Sequence, residues 1–151
     1  MNLNLDNHEF WMKLALTEAE TAMQRNEIPV GAVLVKNNQL VCKEHNRTRE
    51  LNTHLAHAEM LIFQYIQTKE KFLHDYTLYV TLEPCLMCAG AIILSRLSRL
   101  VFGTFDPKTG VCGSVYNVLT DKNFNHKPIV ISGIMQAECS ILLKEFFKGK
   151  R

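Results

Sequence analysis

No apolar run in this sequence approaches the ~20 residues a membrane-spanning helix needs; the longest candidate, Ala89 to Leu94, is far too short. The first residues carry Asp6, Glu9 and Glu18 among their apolar neighbours and lack a basic stretch followed by an apolar block. No secretory signal is therefore read there, and a cytoplasmic location is expected. An even complement of cysteines is also missing. The five present (Cys42, Cys85, Cys88, Cys112 and Cys139) include one close pair, which argues against a disulfide framework and leaves metal or redox chemistry for the pair. Excess charge is scarce: 17 Lys and Arg against 15 Asp and Glu give a net +2, so no whole-chain nucleic-acid footprint is visible. Only the C-terminus is locally basic, with Lys144, Lys148, Lys150 and Arg151 against Glu145. Internal repeats and low-complexity linkers are absent too. What remains is 151 residues, 47% hydrophobic and 21% charged, which fits a single ordered domain over 1–151 with one core.

Asp6 followed three residues later by Glu9 fits a capping box. Behind it Trp11, Leu14, Ala15, Ala19, Ala22 and Met23 recur at helical spacing. The β-branched run Val30 to Val35, the pair Asn37-Asn38 and the return Gln39 to Cys42 predict a hairpin, because asparagine tolerates the left-handed backbone of a tight turn. A polar loop spans His45 to Leu55. Helices are predicted over about Ala56–Gln67 and from Pro84 to near Arg96, with strands at Thr77–Thr81 and Leu100–Gly103. Residues 104–127 read as loop with a short helix around Val115 to Leu119. A strand at Ile129–Ser132 precedes a last helix from about Gln136, whose stripe is Cys139, Leu142, Leu143, Phe146 and Phe147. Five short strands interleaved with helices imply an α/β domain with one mixed sheet covered on both faces.

Two predicted helix starts hold the chemistry: Ala56-His57-Ala58-Glu59 and Glu83-Pro84-Cys85-Leu86-Met87-Cys88. Cysteines three apart share a helix face, and a proline in the first turn sacrifices no hydrogen bond. The positive end of the helix dipole favours the thiolate, the form that binds metal. An imidazole from the other helix start would supply a third ligand. Three protein ligands leave a tetrahedral zinc site one open position, where the pKa of bound water falls from about 15.7 to around 7. Glu59, two residues from His57, is placed to move protons between that water, a ring nitrogen and a departing amine. Those steps make up hydrolytic deamination.

Each half of the pattern has an ordinary alternative. Cys-x-x-Cys after a strand also resembles a thioredoxin-like redox pair, and His-x-Glu alone is almost uninformative. A structural zinc module would be expected to supply a fourth Cys or His; a redox protein would form a reversible Cys85–Cys88 disulfide and hold no stoichiometric zinc. In this order, about 26 residues apart with a strand between, the halves match the signature of zinc nucleobase deaminases.

The tract Val80-Thr81-Leu82-Glu83-Pro84-Cys85-Leu86-Met87-Cys88-Ala89-Gly90-Ala91 resembles the tRNA-specific adenosine deaminases (the TadA family). So do Ile28–Val33, Val101–Gly103, Asp106-Pro107-Lys108-Thr109-Gly110 and Asn125-His126, and the likeness runs from about His8 to Phe147. The resemblance implies a three-layer α/β/α cytidine-deaminase-like fold with a five-stranded mixed sheet, a homodimer, and one Zn2+ per subunit. It also implies conversion of adenosine to inosine at the wobble position (34) of a tRNA anticodon stem-loop. It casts His57, Cys85 and Cys88 as zinc ligands and Glu59 as the proton shuttle. Asn46 would bond the flipped adenine and Asp106 would meet the neighbouring nucleotide. Val30, Ala58, Asn125, His126 and Phe147 complete the expected substrate-binding set.

Several positions keep two readings. Asn46, Asp106 and Asn125-His126 are ordinary turn or capping residues on their own. The family often has Asp-Pro-Thr before the first ligand, where this chain has Thr53-His54-Leu55, so His54 is a rival ligand three residues from His57. Cys112 reads as a small buried residue. Phe146 and Phe147 could close the core or, beside the basic tail, stack on a base. A deaminase of a free base or nucleoside, of guanine or cytosine type, would share the scaffold and the metal.

Overall fold

The computed structural model describes residues 3–150, with side chains from Asn7 onward. Along the chain run α1 (Leu3–Gln24), β1 (Gly31–Lys36), β2 (Gln39–His45), α2 (Ala58–Ile66), β3 (Tyr76–Leu82), α3 (Leu86–Leu94), β4 (Arg99–Thr104), a short 3-10 turn (Val118–Thr120), β5 (Ile129–Ser132) and α4 (Gln136–Lys148). The strands form one sheet in the order β2-β1-β3-β4-β5; β1 is antiparallel to β2 and β3, and β3, β4 and β5 are parallel. The mixed five-stranded sheet expected from the sequence is present.

Alternation along the strands divides the interior in two. Val33, Val35, Tyr79 and Val101 face Trp11, Met12, Ala15, Leu16 and Cys139 of α1 and α4. Ala32, Leu34, Leu78, Val80, Leu100 and Phe102 face Ile62, Phe63, Ile66, Ala89 and Ile92 of α2 and α3. The single core expected from chain length is thus two apolar layers on either side of one sheet, the solution a sheet adopts when both faces carry helices. Gly31 sets the spacing of the first layer. A Cβ there would stand 2.0 Å from the Ala15 carbonyl, so only glycine lets α1 lie this close to β1.

Several boundaries move. α1 runs from Leu3, so Asp6 lies within the helix and not at its cap. β2 extends to His45, three residues past the predicted Cys42; it carries Lys43 on one face and Glu44 on the other, charges that protect an edge strand and that hide it from an apolar pattern. Asn37 and Asn38 take φ values of 51° and 58°, as the hairpin turn demands. α3 stops at Leu94, with Arg96 in the left-handed region at φ 60°. The short helix predicted at Val115–Leu119 is the 3-10 turn Val118–Thr120.

Candidate metal centre and substrate cleft

Polarity of the strands fixes where a site can form. β3 and β4 end, and β1 begins, at the same edge of the sheet, because Ala32 of antiparallel β1 pairs with Val80 near the end of β3. In open α/β sheets ligands bind outside the carboxyl ends of the parallel strands. At this edge α2 and α3 both begin, and their first turns carry the residues singled out above.

His57 is the N-cap of α2 and Cys85 the N-cap of α3; both have extended backbones, and neither side chain caps its helix. Serine or aspartate at these positions would contribute roughly 1 kcal/mol by bonding the free N–H groups of the first turn. That contribution is forgone, and the side chains turn toward each other instead. Pro84 sits just ahead of the cap and not in the first turn, and it biases Glu83 toward the extended backbone that leads out of β3. Cys88, one turn into α3, is fully buried.

The His57 Nδ1 atom lies 3.5 Å from the Cys85 sulfur and 3.6 Å from the Cys88 sulfur, and the three donor atoms all lie within 4.8 Å of one another. Zinc bonds of about 2.3 Å to sulfur and 2.05 Å to nitrogen, at the tetrahedral angle, place the donors about 3.6 Å apart. The cluster therefore fits one Zn2+. His54 is exposed and outside the cluster, which removes it as a rival.

The electrostatics suit a cation. The Cys85 thiol is brought down to about 4, chiefly by the hydrogen bond from Cys88 and also by that from His57, against the opposing effect of burial. The Cys88 thiol is pushed up by the same bond to Cys85, by burial and by Glu59, because a second negative charge would crowd the first. His57 is raised by its bond to Cys85. Glu59 is 4% exposed, and burial raises its carboxyl above the usual carboxylate range. A divalent ion among these groups would relieve the crowding and leave Glu59 as a proton-exchanging group beside the open position.

His57 and Cys85 of the cluster, with Glu59, line a cleft of about 1080 Å3. Ile28, Val30, Asn46 and Thr48 form one wall, and Phe105, Asp106, Pro107, Lys108 and Thr109 form another. The third is α4, through Ser140, Leu143, Lys144, Phe147 and Lys148.

A family model for the cytidine and deoxycytidylate deaminase zinc-binding region matches residues 5–104. The tRNA-specific adenosine deaminase of Bacillus subtilis is 45% identical over 148 residues, covering 95% of this chain and 90% of that protein. The chain belongs to the tRNA-specific adenosine deaminase family. A solved structure from a study of A-to-I editing by tRNA:A34 deaminases at the wobble position superposes with a TM-score of 0.85 at 41% identity, covering 89% of this chain and 99% of that one. A guanine deaminase from Nitrosomonas europaea shares the fold at a TM-score of 0.76 but only 22% identity, covering 91% of this chain and 83% of that one.

Measured against the site expected for a tRNA-specific adenosine deaminase, the structure brings most of the predicted residues together. Val30, Asn46, Ala58, Asp106 and Phe147 all line the cleft with the cluster. Asn46 is 5% exposed; its amide donates to the Ile28 carbonyl and accepts from the Thr48 N–H, both at a long 3.4 Å. Asp106 accepts from the Lys108 and Thr109 N–H groups and from the Thr109 hydroxyl, so it orders its own turn while lining the wall. Phe147 is 51% exposed, which removes it from the buried stripe, whereas Phe146 is buried. Cys112 is buried, as expected.

Asn125 and His126 do not reach the cleft. They precede β5, and the parallel pairing of β4 with β5 puts that segment at the opposite edge of the sheet, about 17 Å away along β4. There His126 Nε2 donates to the Leu97 carbonyl at 2.6 Å, and Asn125 is exposed. Strand direction thus places both residues away from the cleft of their own chain. Sequence reasoning in turn missed Thr48 and Ser140 as cleft residues and Glu83 as a structural one, and had Lys144 and Lys148 only as part of a basic tail beside Phe147. For Lys144 and Lys148 a signal existed: they lie three residues before and one after Phe147, so they flank it on the same helix.

Proposed function

We propose that this chain hydrolytically deaminates adenosine to inosine at the wobble position (34) of a tRNA anticodon. The observation that carries the reading is the zinc-spaced cluster with Glu59 beside it, bordering a cleft whose α4 wall presents Phe147 between Lys144 and Lys148. A free-base pocket needs neither the volume, at the upper end for small ligands, nor cations along one wall.

Zinc held by His57, Cys85 and Cys88 would lower the pKa of a water ligand to around 7 and so supply a nucleophile near neutrality. The protein's own residues do the rest. An unpaired anticodon base can be extruded at a cost of only a few kcal/mol. Val30 and Ala58 give the base an apolar seat, and the Asn46 amide, both donor and acceptor, pairs with its polar edge. Glu59 takes a proton from the water, whose oxygen bonds to C6, and delivers it to N1; it then passes the second proton to the amine, and the C6–N bond breaks to release ammonia. Asp106 and its turn meet the adjoining nucleotide, Phe147 offers a stacking surface, and the lysines lie along the phosphates.

Ammonia release from an anticodon hairpin with adenosine at position 34 tests this against the free-base reading. Rapid, zinc-dependent release from the hairpin is expected, with little from free adenosine, guanine or cytidine. Comparable turnover of free guanine or cytidine would sink it.

Two further features follow. Leu86 and Leu94 on α3 are 65% and 78% exposed, and Gly90, one turn from each, has no heavy atom within 4 Å of where a Cβ would stand. This apolar stripe with a notch at its centre supports a homodimer that covers it. Light scattering should give a dimer that Leu94→Glu converts to monomer; a monomeric native protein at micromolar concentration would contradict the assignment. All five cysteines are free and, among the described residues, no helix is long and apolar enough to cross a membrane. A thiolate metal site and a tRNA substrate both suit the reducing cytoplasm.

A further inference from the structure

Glu83 lies two residues before Cys85 and is 2% exposed. No Lys, Arg or His nitrogen of the described residues stands within ion-pair distance of it. Its two oxygens face donors only. Oε1 accepts from the Asp106 N–H at 2.9 Å and from the Ser114 hydroxyl; Oε2 accepts from the Cys112 N–H at 2.9 Å and the Ser114 N–H at 3.0 Å. The main chain reinforces the grip, with the Glu83 N–H donating to the Thr104 carbonyl and the Val111 N–H to the Pro84 carbonyl. Gly110 closes over the carboxylate so tightly that a Cβ there would stand 2.3 Å from Glu83 Cδ.

The loop held in this way is the cleft wall that carries Phe105, Asp106 and Lys108. A side chain with four donors and no acceptor around it is a clamp with one sense. Glutamine, of nearly the same shape, would turn an NH2 group against N–H or O–H donors and leave buried groups unpaired. We propose that Glu83 is a positioning residue for substrate recognition: it fixes the 105–110 wall in register with the metal ligand Cys85 on the same stretch of chain. The proposal rests on the reading that this cleft receives an RNA loop.

Glu83→Gln is expected to raise KM for the anticodon hairpin about tenfold, the factor associated with one unpaired buried group. The single-turnover rate at saturation should stay within about threefold, zinc should remain stoichiometric, and the Cys112 and Ser114 amide protons should exchange faster. Loss of zinc, or a collapse of the saturating rate, would overturn the proposal by placing the effect at the metal; unchanged KM would overturn it outright. Should Glu83→Gln fail to fold, Gly110→Ala tests the same contact from the other side. In the native background its Cβ should displace the carboxylate and raise KM about tenfold. In a Glu83→Ala background, with the carboxylate gone, it should add less than about twofold; additive effects would refute the clamp. A native enzyme inert on the hairpin would count against the RNA reading instead, while amide exchange, which needs no substrate, would still test the clamp.

Discussion

The two ends of the cleft are built on different physics. At the metal end, Glu59 and Cys88 are almost wholly out of water and their proton affinities are raised. At the α4 end, Phe147 is half-exposed and its lysine neighbours lie at the rim. The first end can do chemistry because burial makes each charge matter; the second can only recognise, through stacking and screened charge, where each contact is weak and many are needed.

Substitutions at the two ends should therefore differ in size and in kind. The largest effect is expected from Glu59→Gln, which should cut turnover by about 10²–10⁴-fold with zinc retained. Stability should change in the opposite direction. Burial raises the folded pKa of Glu59, so its stabilising contribution is complete below the unfolded value near 4.5 and is lost as pH rises through the folded value. Glutamine carries no charge at any pH. The metal-free variant should consequently unfold at higher urea than the metal-free native protein at pH 7 to 8, the gap closing toward pH 4.5. Coincident curves across that range would break the contrast between the ends.

Smaller effects belong to α4. Phe147→Ala should weaken hairpin binding by about 1–3 kcal/mol with the saturating rate nearly unchanged. Replacing Lys144 and Lys148 together by alanine should weaken it only modestly at physiological salt, but should flatten the dependence of log K on log salt by about 1.4, as expected for two lost phosphate contacts on a single strand. A variant at this end that lowered the saturating rate as much as Glu59→Gln would erase the distinction.

The metal end was legible in the sequence from spacing alone, whereas Val30, Asn46, Ala58, Asp106 and Phe147 of the other end came only through family resemblance, for a physical reason. His57, Glu59, Cys85 and Cys88 sit at fixed spacing on two helix starts, and short spacing survives in a linear string. Glu83 acts on N–H groups 23 to 31 residues further along, which no local pattern records. Strands fared well where both faces of the sheet are covered, along β1, β3 and β4; β5 and the start of α4 also fall where periodicity put them. Periodicity failed at the edges of stripes. In α1 it marked Leu14 and Met23 where the structure buries Met12 and Leu16, since small alanines leave the centre of the face undefined. In α4 it carried the stripe one residue too far, to Phe147. Strand direction, which a likeness in sequence does not carry, sets Asn125 and His126 apart from the cleft of their own chain.

The imidazole meets the sulfurs through Nδ1, its nearer nitrogen, only three bonds from the main chain, and each sulfur is two bonds from its own. So little free rotation lies between ion and backbone that the metal's surroundings must move as the two helix caps move, and those are fixed to a sheet packed on both sides. Reactivity here is inherited from architecture: a slip of α2 against α3 by a fraction of an ångström would be felt by the ion almost undiminished.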